Sequence, residues 1–273
     1  PFLETLDLEE CRDVTNQWIN MLAAAAPSKL TSLNLSHTSV TVDILPYLKT
    51  IPSLQELYLK DISLEAGINN LPAFQLTLLD VSNSKLPATA IARLAQIPSL
   101  ESVKLDNITP GATGVSEILQ AAWKLKSLSL ANWKLTPEQV QAIAGKFGET
   151  LEELNIAGAS IGDETLKIIL EKIPNLKKLC LRQAGDFHDD SLRIFQESDV
   201  SRITHLDLSA TLVTNAGLEL FLAPEWKSLK LLNVQQCTTS VSKLRQVREA
   251  HPNIKILFTR PLYQSGLYKG YYL

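Results

Sequence analysis

One spacing recurs along the whole chain: apolar residues at the first, fourth and sixth places of a short frame. Leu30, Leu33 and Leu35 of "LTSLNLSHT" show it, and Ile203, Leu206 and Leu208 of "ITHLDLSAT" repeat it. Frames of this kind start at Leu3, Leu30, Leu54, Leu76, Leu100, Leu125, Leu151, Leu176, Ile203, Leu229 and, weakened, Ile254, spaced by 22 to 27 residues. A unit of about 25 residues cannot enclose a core alone, so units must stack on their neighbours and bury a continuous interior between them.

The first segment of each unit alternates as a strand does, with places 4 and 6 on one side, as Leu154 and Ile156 in "LEELNI". The second half changes period. In "DETLKIILEKIPNL", Leu166, Ile169, Leu170 and Ile173 follow the i, i+3, i+4, i+7 spacing of a helix. Thr136-Pro137-Glu138-Gln139 has the form of a capping box with proline at the first helical position, and Pro52, Pro98, Pro174 and Pro252 stop helices just before the next strand. Parallel strands sit about 4.8 Å apart and packed helices roughly 8 to 10 Å. The expectation is therefore a curved right-handed α/β solenoid, a horseshoe of about eleven repeats, with a parallel sheet on the concave wall and helices on the convex side.

Place 9 lies where the chain leaves the strand and its backbone groups lose ladder partners, which a small donor or acceptor can satisfy. Cys11, Thr38, Ser84, Thr211 and Cys237 supply a hydroxyl or thiol there; Ile62, Ile108, Trp133, Ala159 and Ala184 do not. The short third unit, "LQELYLKDISLEAGINNLPAFQ", carries Gly67, Asn69 and Asn70, poor residues for a helix interior, and predicts a turn or 3₁₀ piece.

On the stretch "LETLDLEECRDVTNQWINMLAAAAPSKLTSL", the first unit and the start of the second, the chain resembles the leucine-rich repeat family from Leu3 to about Thr259. Its long repeats are similar to the ribonuclease-inhibitor-like and cysteine-containing subclasses. The cysteine-containing subclass is best known from F-box proteins, in which the horseshoe receives substrates for a ubiquitin ligase. Cys11 and Cys237 occupy its cysteine place; the other complete units lack it. Ribonuclease-inhibitor-like repeats also serve in immune receptors, signalling regulators and bacterial effectors. The resemblance implies a non-enzymatic module that binds a protein on its concave face: a substrate receptor, or alternatively an effector or regulator that sequesters or senses another protein.

Composition narrows the classes. A net charge of −3 and a pI near 5.9 argue against a general nucleic-acid binder. No apolar run approaches a membrane span and no leader opens the chain, while three widely spaced cysteines fit a reducing compartment, so cytosol or nucleus is expected. No cofactor, metal or small-molecule substrate is expected. The best nucleophile, Cys180, falls in register opposite Asp207, with His205 on a diagonal too distant to share a proton. The cluster Asp186, His188, Asp189, Asp190 precedes "SLRIF", where acidic residues cap a helix.

Side chains at places 2, 3, 5, 7 and 8 face the concave wall. The first three repeats place Glu4, Asp7, Glu9, Glu10, Glu56 and Asp61 there against Lys60; the last four place Lys177, Lys178, Arg182, Lys230, Lys255 and Arg260 against Asp207. This predicts an acidic-to-basic gradient able to orient a charged partner. Aromatic and cationic side chains dominate interfaces, so Tyr58, Lys104, Lys177, Lys178, Arg182, His205, Lys230 and Phe258 are the candidate partner-binding residues. Trp18, Trp123, Trp133 and Trp226 are assigned to core or seam packing. Pro1 runs straight into a strand without a polar-faced cap, so the first repeat is expected to be covered by more of the protein or by another chain. Residues 1–259 form the repeat domain, and 260–273, with four tyrosines, an aromatic closing segment or tail.

Overall fold

The protein is described by a computed structural model, complete with side chains for residues 2–64, 68, 71, 75–87, 89–109 and 114–259, and as backbone for 260 and 269–272. It divides into two compact units, Pro1–Trp133 and Lys134–Leu273.

In the first unit the strands are β1 (Thr5–Asp7), β2 (Ser32–Asn34), β3 (Glu56–Tyr58), β4 (Leu78–Asp80), β5 (Ser102–Lys104) and β6 (Ser127–Ser129). They pair in parallel in chain order without slippage, so that Leu6, Leu33, Leu57, Leu79, Val103 and Leu128, the place 4 residues, align across the sheet. From Leu33 onward these side chains are buried, as are the flanking place 1 and place 6 residues. Each such side chain contributes roughly 1.5–3 kcal/mol of burial. The returning segments form α1 (Asn16–Ala24), a 3₁₀ turn at Val42–Ile44 running into α2 (Leu45–Leu48), α3 (Ala90–Leu94) and α4 (Gly114–Gln120). Most of the third unit's segment around Gly67, Asn69 and Asn70, expected to be a turn or 3₁₀ piece, lies outside the described residues; Ile68 and Leu71 within it are buried.

The second unit begins with α5 (Pro137–Phe147) and continues through β7 (Glu153–Asn155), α6 (Asp163–Lys172), β8 (Lys178–Cys180), α7 (Arg193–Gln196), β9 (His205–Asp207), α8 (Asn215–Leu218), β10 (Leu231–Asn233), α9 (Val241–Ala250), β11 (Lys255–Arg260) and β12 (Lys269–Tyr272). Strands β7 to β11 are parallel neighbours, and β12 pairs antiparallel with β11, Phe258 opposite Tyr271. The expected capping box is present: the Thr136 hydroxyl accepts from the Gln139 N–H and the Gln139 side chain accepts from the Thr136 N–H at 3.0 Å. Gly148 follows α5 where the helix meets the end of α6; a Cβ there would collide with the Lys172 carbonyl oxygen. Full helices form at α1, α5, α6 and α9, whereas α2, α7 and α8 are single turns, α8 continuing into 3₁₀ pieces at Glu219–Leu222 and Pro224–Ser228. Each unit is thus an α/β leucine-rich-repeat solenoid.

Strands β1 to β10 span only three residues because the chain reverses at place 8. All ten residues at that place, from Glu10 to Gln236, have left-handed backbones with φ between 55° and 75°, yet Gly158 is the single glycine among them. A non-glycine residue there costs about 1–2 kcal/mol, offset by the stacking bonds that the turn allows. The place 8 N–H donates to the place 7 carbonyl of the next repeat, as in His37 to Lys60 and Gln183 to Ser209, both at 2.9 Å. Asn83, Asn107 and Asn132 add a side-chain ladder, Asn107 Nδ2 donating to Asn83 and Asn132 Nδ2 donating to Asn107.

The place 9 expectation needs enlarging. Ser84 Oγ donates to the Leu59 carbonyl at 2.8 Å and Cys237 Sγ to the Leu208 carbonyl at 3.1 Å, each reaching place 6 of the preceding repeat. Trp133, expected to lack that function, performs it: its indole N–H donates to the Leu105 carbonyl at 2.7 Å. Trp123 and Trp226 are buried as expected, Trp123 donating to the Ile97 carbonyl and Trp226 packed between Phe195 and Phe221. Trp18 is not: it is 60% exposed on α1, because no repeat packs against that side of the first unit among the described residues.

Candidate protein-binding surface

On the strand wall the place 5 residues divide into two kinds. Asp7, Asn34, Asp80, Asn155, Asp207 and Asn233 each accept a hydrogen bond from the backbone N–H two residues on, bracketing the turn from the strand. Their polar atoms are committed to the fold. Asp207 also accepts from the Ser209 hydroxyl at 2.6 Å and from Asn233 Nδ2 at 3.0 Å. Tyr58 and Lys104 carry no such duty and lie either side of Asp80 in register. Lys104 Nζ sits 3.7 Å from the Asp80 carboxylate and 5.9 Å from the centre of the Tyr58 ring. Burial, then the neighbouring carboxylates of Glu56, Asp80 and Asp7, hold the Tyr58 phenol above its ordinary pKa and therefore neutral. The three residues form one compact patch of aromatic ring, anion and cation.

In the second unit the register lays Lys178, His205 and Leu231 side by side at place 3. The expected basic run is partly neutralised. Lys177 Nζ lies 2.8 Å from Glu152 and Lys178 Nζ 2.5 Å from Glu153, both acids on the neighbouring strand segment. The gradient overlooked these two glutamates because they belong to the seventh repeat. Arg182 and Lys230 are exposed and form no ion pair among the described residues. His205 is half-buried, its Nδ1 2.8 Å from the Thr204 hydroxyl. Burial first, then Lys178 and Lys230, lower its pKa, so the imidazole is neutral near pH 7.

Phe258 requires correction. The eleventh frame was expected to set Leu257 and Thr259 toward the core and Phe258 on the wall. The register instead pairs Leu232 with Ile256 and Asn233 with Leu257, a shift of one residue. Ile256 and Phe258 consequently take the core places and are buried, so Phe258 is withdrawn from the wall. Tyr263 and Tyr268 lie outside the described residues; the backbone of Tyr271 and Tyr272 belongs to β12.

Cys180 aligns with Asp207 and Lys178 with His205, the expected offset between thiol and imidazole. The residues of the Asp186–Asp190 cluster turn to separate partners. Asp186 accepts from the Ser160 hydroxyl, His188 Nδ1 meets the Ser191 hydroxyl at 3.2 Å, and Asp190 pairs with Arg193. Asp189 accepts from both the N–H and the hydroxyl of Thr214, at 2.8 and 2.5 Å. It caps the next repeat's helix start, not its own: α7 is a single turn whose N-cap, Leu192, makes no side-chain bond. Among the described residues no group of three or more His, Cys, Asp or Glu side chains is placed to hold a metal ion, and no helix is long and apolar enough to cross a membrane. A cleft of about 590 Å³ at Asn215, Gln236, Cys237, Thr238, Thr239, Ser240 and Thr259 is lined by hydroxyls and amides. Burial raises the Cys237 thiol's pKa, keeping it protonated.

Stacked strands, bracketed turns and a side-chain-rich wall define a leucine-rich-repeat solenoid. Neither family models nor curated protein sequences match the chain. Among solved structures it is similar to the Rad7 and Elc1 complex of yeast, with 17% identity over 92% of this chain and 74% of that one, at a TM-score of 0.70. A protein from Bacteroides fragilis is similar at 18% identity over 94% of this chain and 65% of that one, with a TM-score of 0.41.

Proposed function

We propose that the chain is a non-enzymatic recognition module that holds another protein against its strand wall, and more narrowly a substrate receptor for a ubiquitin ligase of the kind that F-box leucine-rich proteins provide. The observation that carries the reading is the division of labour on the wall. The Asp and Asn side chains of place 5 are spent on turns, while Tyr58, Lys104, Arg182, His205 and Lys230 stand beside them without that structural duty. Residue types that anchor interfaces are therefore gathered where the fold does not need them. The yeast neighbour, solved together with Elc1, supports protein binding as a use for this architecture. Exposed charges of this kind steer encounter and fix orientation more than they tighten the complex.

The reading is tested by affinity capture from the native cell with the wild type and an Arg182→Glu, Lys230→Glu variant. Both positions are exposed, so the variant's unfolding transition should match wild type while the bound protein is lost. Equal capture by both refutes the placement. The receptor reading further requires that the captured protein persist longer in cells lacking this chain; an unchanged lifetime removes that part alone.

A further inference from the structure

Strands β8 to β10 carry more positive charge on the wall than the fold itself uses. Lys177 and Lys178 are answered by Glu152 and Glu153 at 2.8 and 2.5 Å, whereas Arg182 and Lys230 are exposed and have no carboxylate partner among the described residues. The acid on these strands, Asp207, is already engaged by the Ser209 N–H, the Ser209 hydroxyl and Asn233 Nδ2. In register, His205 lies between Lys178 on β8 and Leu231, the residue after Lys230, on β10. The hydrogen bonds around the imidazole fix which nitrogen is open to a ligand. The Thr204 hydroxyl has one proton, which it donates to the Lys177 carbonyl at 3.1 Å. It can then only accept at its 2.8 Å contact with His205, so Nδ1 carries the proton of the neutral ring. Nε2 is left as a bare acceptor with no hydrogen-bond partner among the described residues.

We infer, resting on the reading that a protein partner lies against this wall, that the second unit takes an extended acidic segment of that partner across Arg182, His205 and Lys230, and that a proton on His205 Nε2 tightens its hold. A neutral ring turns a lone pair toward an approaching carboxylate; a protonated ring offers it an N–H donor and a charge. The charged groups facing the imidazole are Lys178 on β8, Lys230 before β10, Glu153 on β7 and Asp207 on its own strand. Burial and the two lysines keep the ring neutral near pH 7 against the pull of Glu153. Carboxylates seated between those cations favour the missing proton, and by linkage the proton favours the carboxylates to the same degree. Charge also selects the occupant. Residues 260–273 of this chain contain Arg260 and Lys269 but no Asp or Glu, so they do not supply the acidic side chains that this surface attracts.

A peptide of alternating aspartate and serine, ionised throughout, is titrated into the chain at about pH 8 and about pH 5.5, with the His205 ring followed by NMR. It should bind about threefold to tenfold more tightly at the lower pH and displace the imidazole titration upward. In His205→Gln, whose unfolding transition is checked alongside, the affinity ratio between the two pH values should fall below about twofold. Any change of overall charge with pH acts on both proteins alike, so the variant isolates the ring. No binding of the aspartate peptide, equal binding of a lysine–serine peptide, or an undiminished ratio in the variant overturns the inference. So does an imidazole titration that moves with protein concentration alone, which identifies a second copy as occupant. Capture of a native partner that needs Arg182 and Lys230 but is equal at both pH values leaves the recognition role standing and removes this inference alone. Peptide binding with the expected ratio, beside native capture indifferent to Arg182 and Lys230, refutes the role and supports the acidic site.

Discussion

Replacing Ser84 by alanine tests how the solenoid satisfies its backbone at the strand exits. The hydroxyl is buried, donates to the Leu59 carbonyl at 2.8 Å and accepts from the Ile62 N–H at 3.2 Å, bridging two backbone groups of the preceding repeat. Ser84→Ala removes one oxygen and opens almost no cavity, so the cost is that of the two orphaned groups, about 1–3 kcal/mol each. Part of this is recoverable. At Ala159 and Ala184 the place 9 N–H reaches its own repeat's place 6 carbonyl directly at 3.1 Å, and Ile62 can relax the same way toward Leu59. The net loss should be about 2 kcal/mol, a fall in Tm of about 4–8 °C for a chain of this size. Ser84→Cys should lose only about half as much, because Cys237 makes the equivalent donation at the same place of its own repeat. Urea unfolding followed by circular dichroism measures both. Alanine within about 0.5 kcal/mol of wild type, or cysteine no better than alanine, would refute the reasoning.

Gly148→Ala should destabilise the second unit by several kcal/mol, on the order of 3, since its Cβ has no room against the Lys172 carbonyl; a calorimetric Tm within a degree or two of wild type would contradict this. Asp207→Ala should cost about 1–2 kcal/mol and Asp207→Asn distinctly less, because the amide oxygen still accepts from the Ser209 N–H; equal losses in chemical denaturation would dismiss the bracket. His205 has a folded pKa below its unfolded value, so its contribution to stability is present above about pH 6.5 and declines as pH falls toward the folded pKa. Lys230→Ala should move the imidazole titration upward in NMR, and no movement would exclude the lysine's influence. In a Cys180→Ser background, the exposed Cys11 should react with a thiol reagent faster than Cys237, whose thiol is partly buried and held protonated; equal rates in the folded chain would dismiss that shielding.

The period, the strand–helix alternation and the Thr136 capping box were legible because each is written within a few neighbouring residues. The left-handed turns were not, since Glu10, His37, Ala210 and Gln236 share no glycine to announce them; the stack, not local preference, holds them there. Phe258 was misplaced because its frame lost one residue, and a one-residue shift in a strand exchanges core for surface. Trp18 looked like the other tryptophans because its helix has the same pattern; what differs is that none of the described repeats packs against its side. The pairing of Lys177 and Lys178 with Glu152 and Glu153 could be read from the chain by stepping back one period, which aligns each lysine with its acid. The roles of the unbracketed wall residues depend on what approaches them and lie beyond any intramolecular pattern.

Ser84, Cys237 and Trp133 differ in volume, polarity and chemistry, and they have in common only a hydrogen offered to the same carbonyl of the repeat before. Where a repeat uses that contact the architecture asks for a donor and leaves its letter open, while at Ala159 and Ala184 the turn closes without one. A lineage built on such a rule can drift through dissimilar alphabets while its shape stays fixed, tolerating an exchange of one donor for another and penalising its loss.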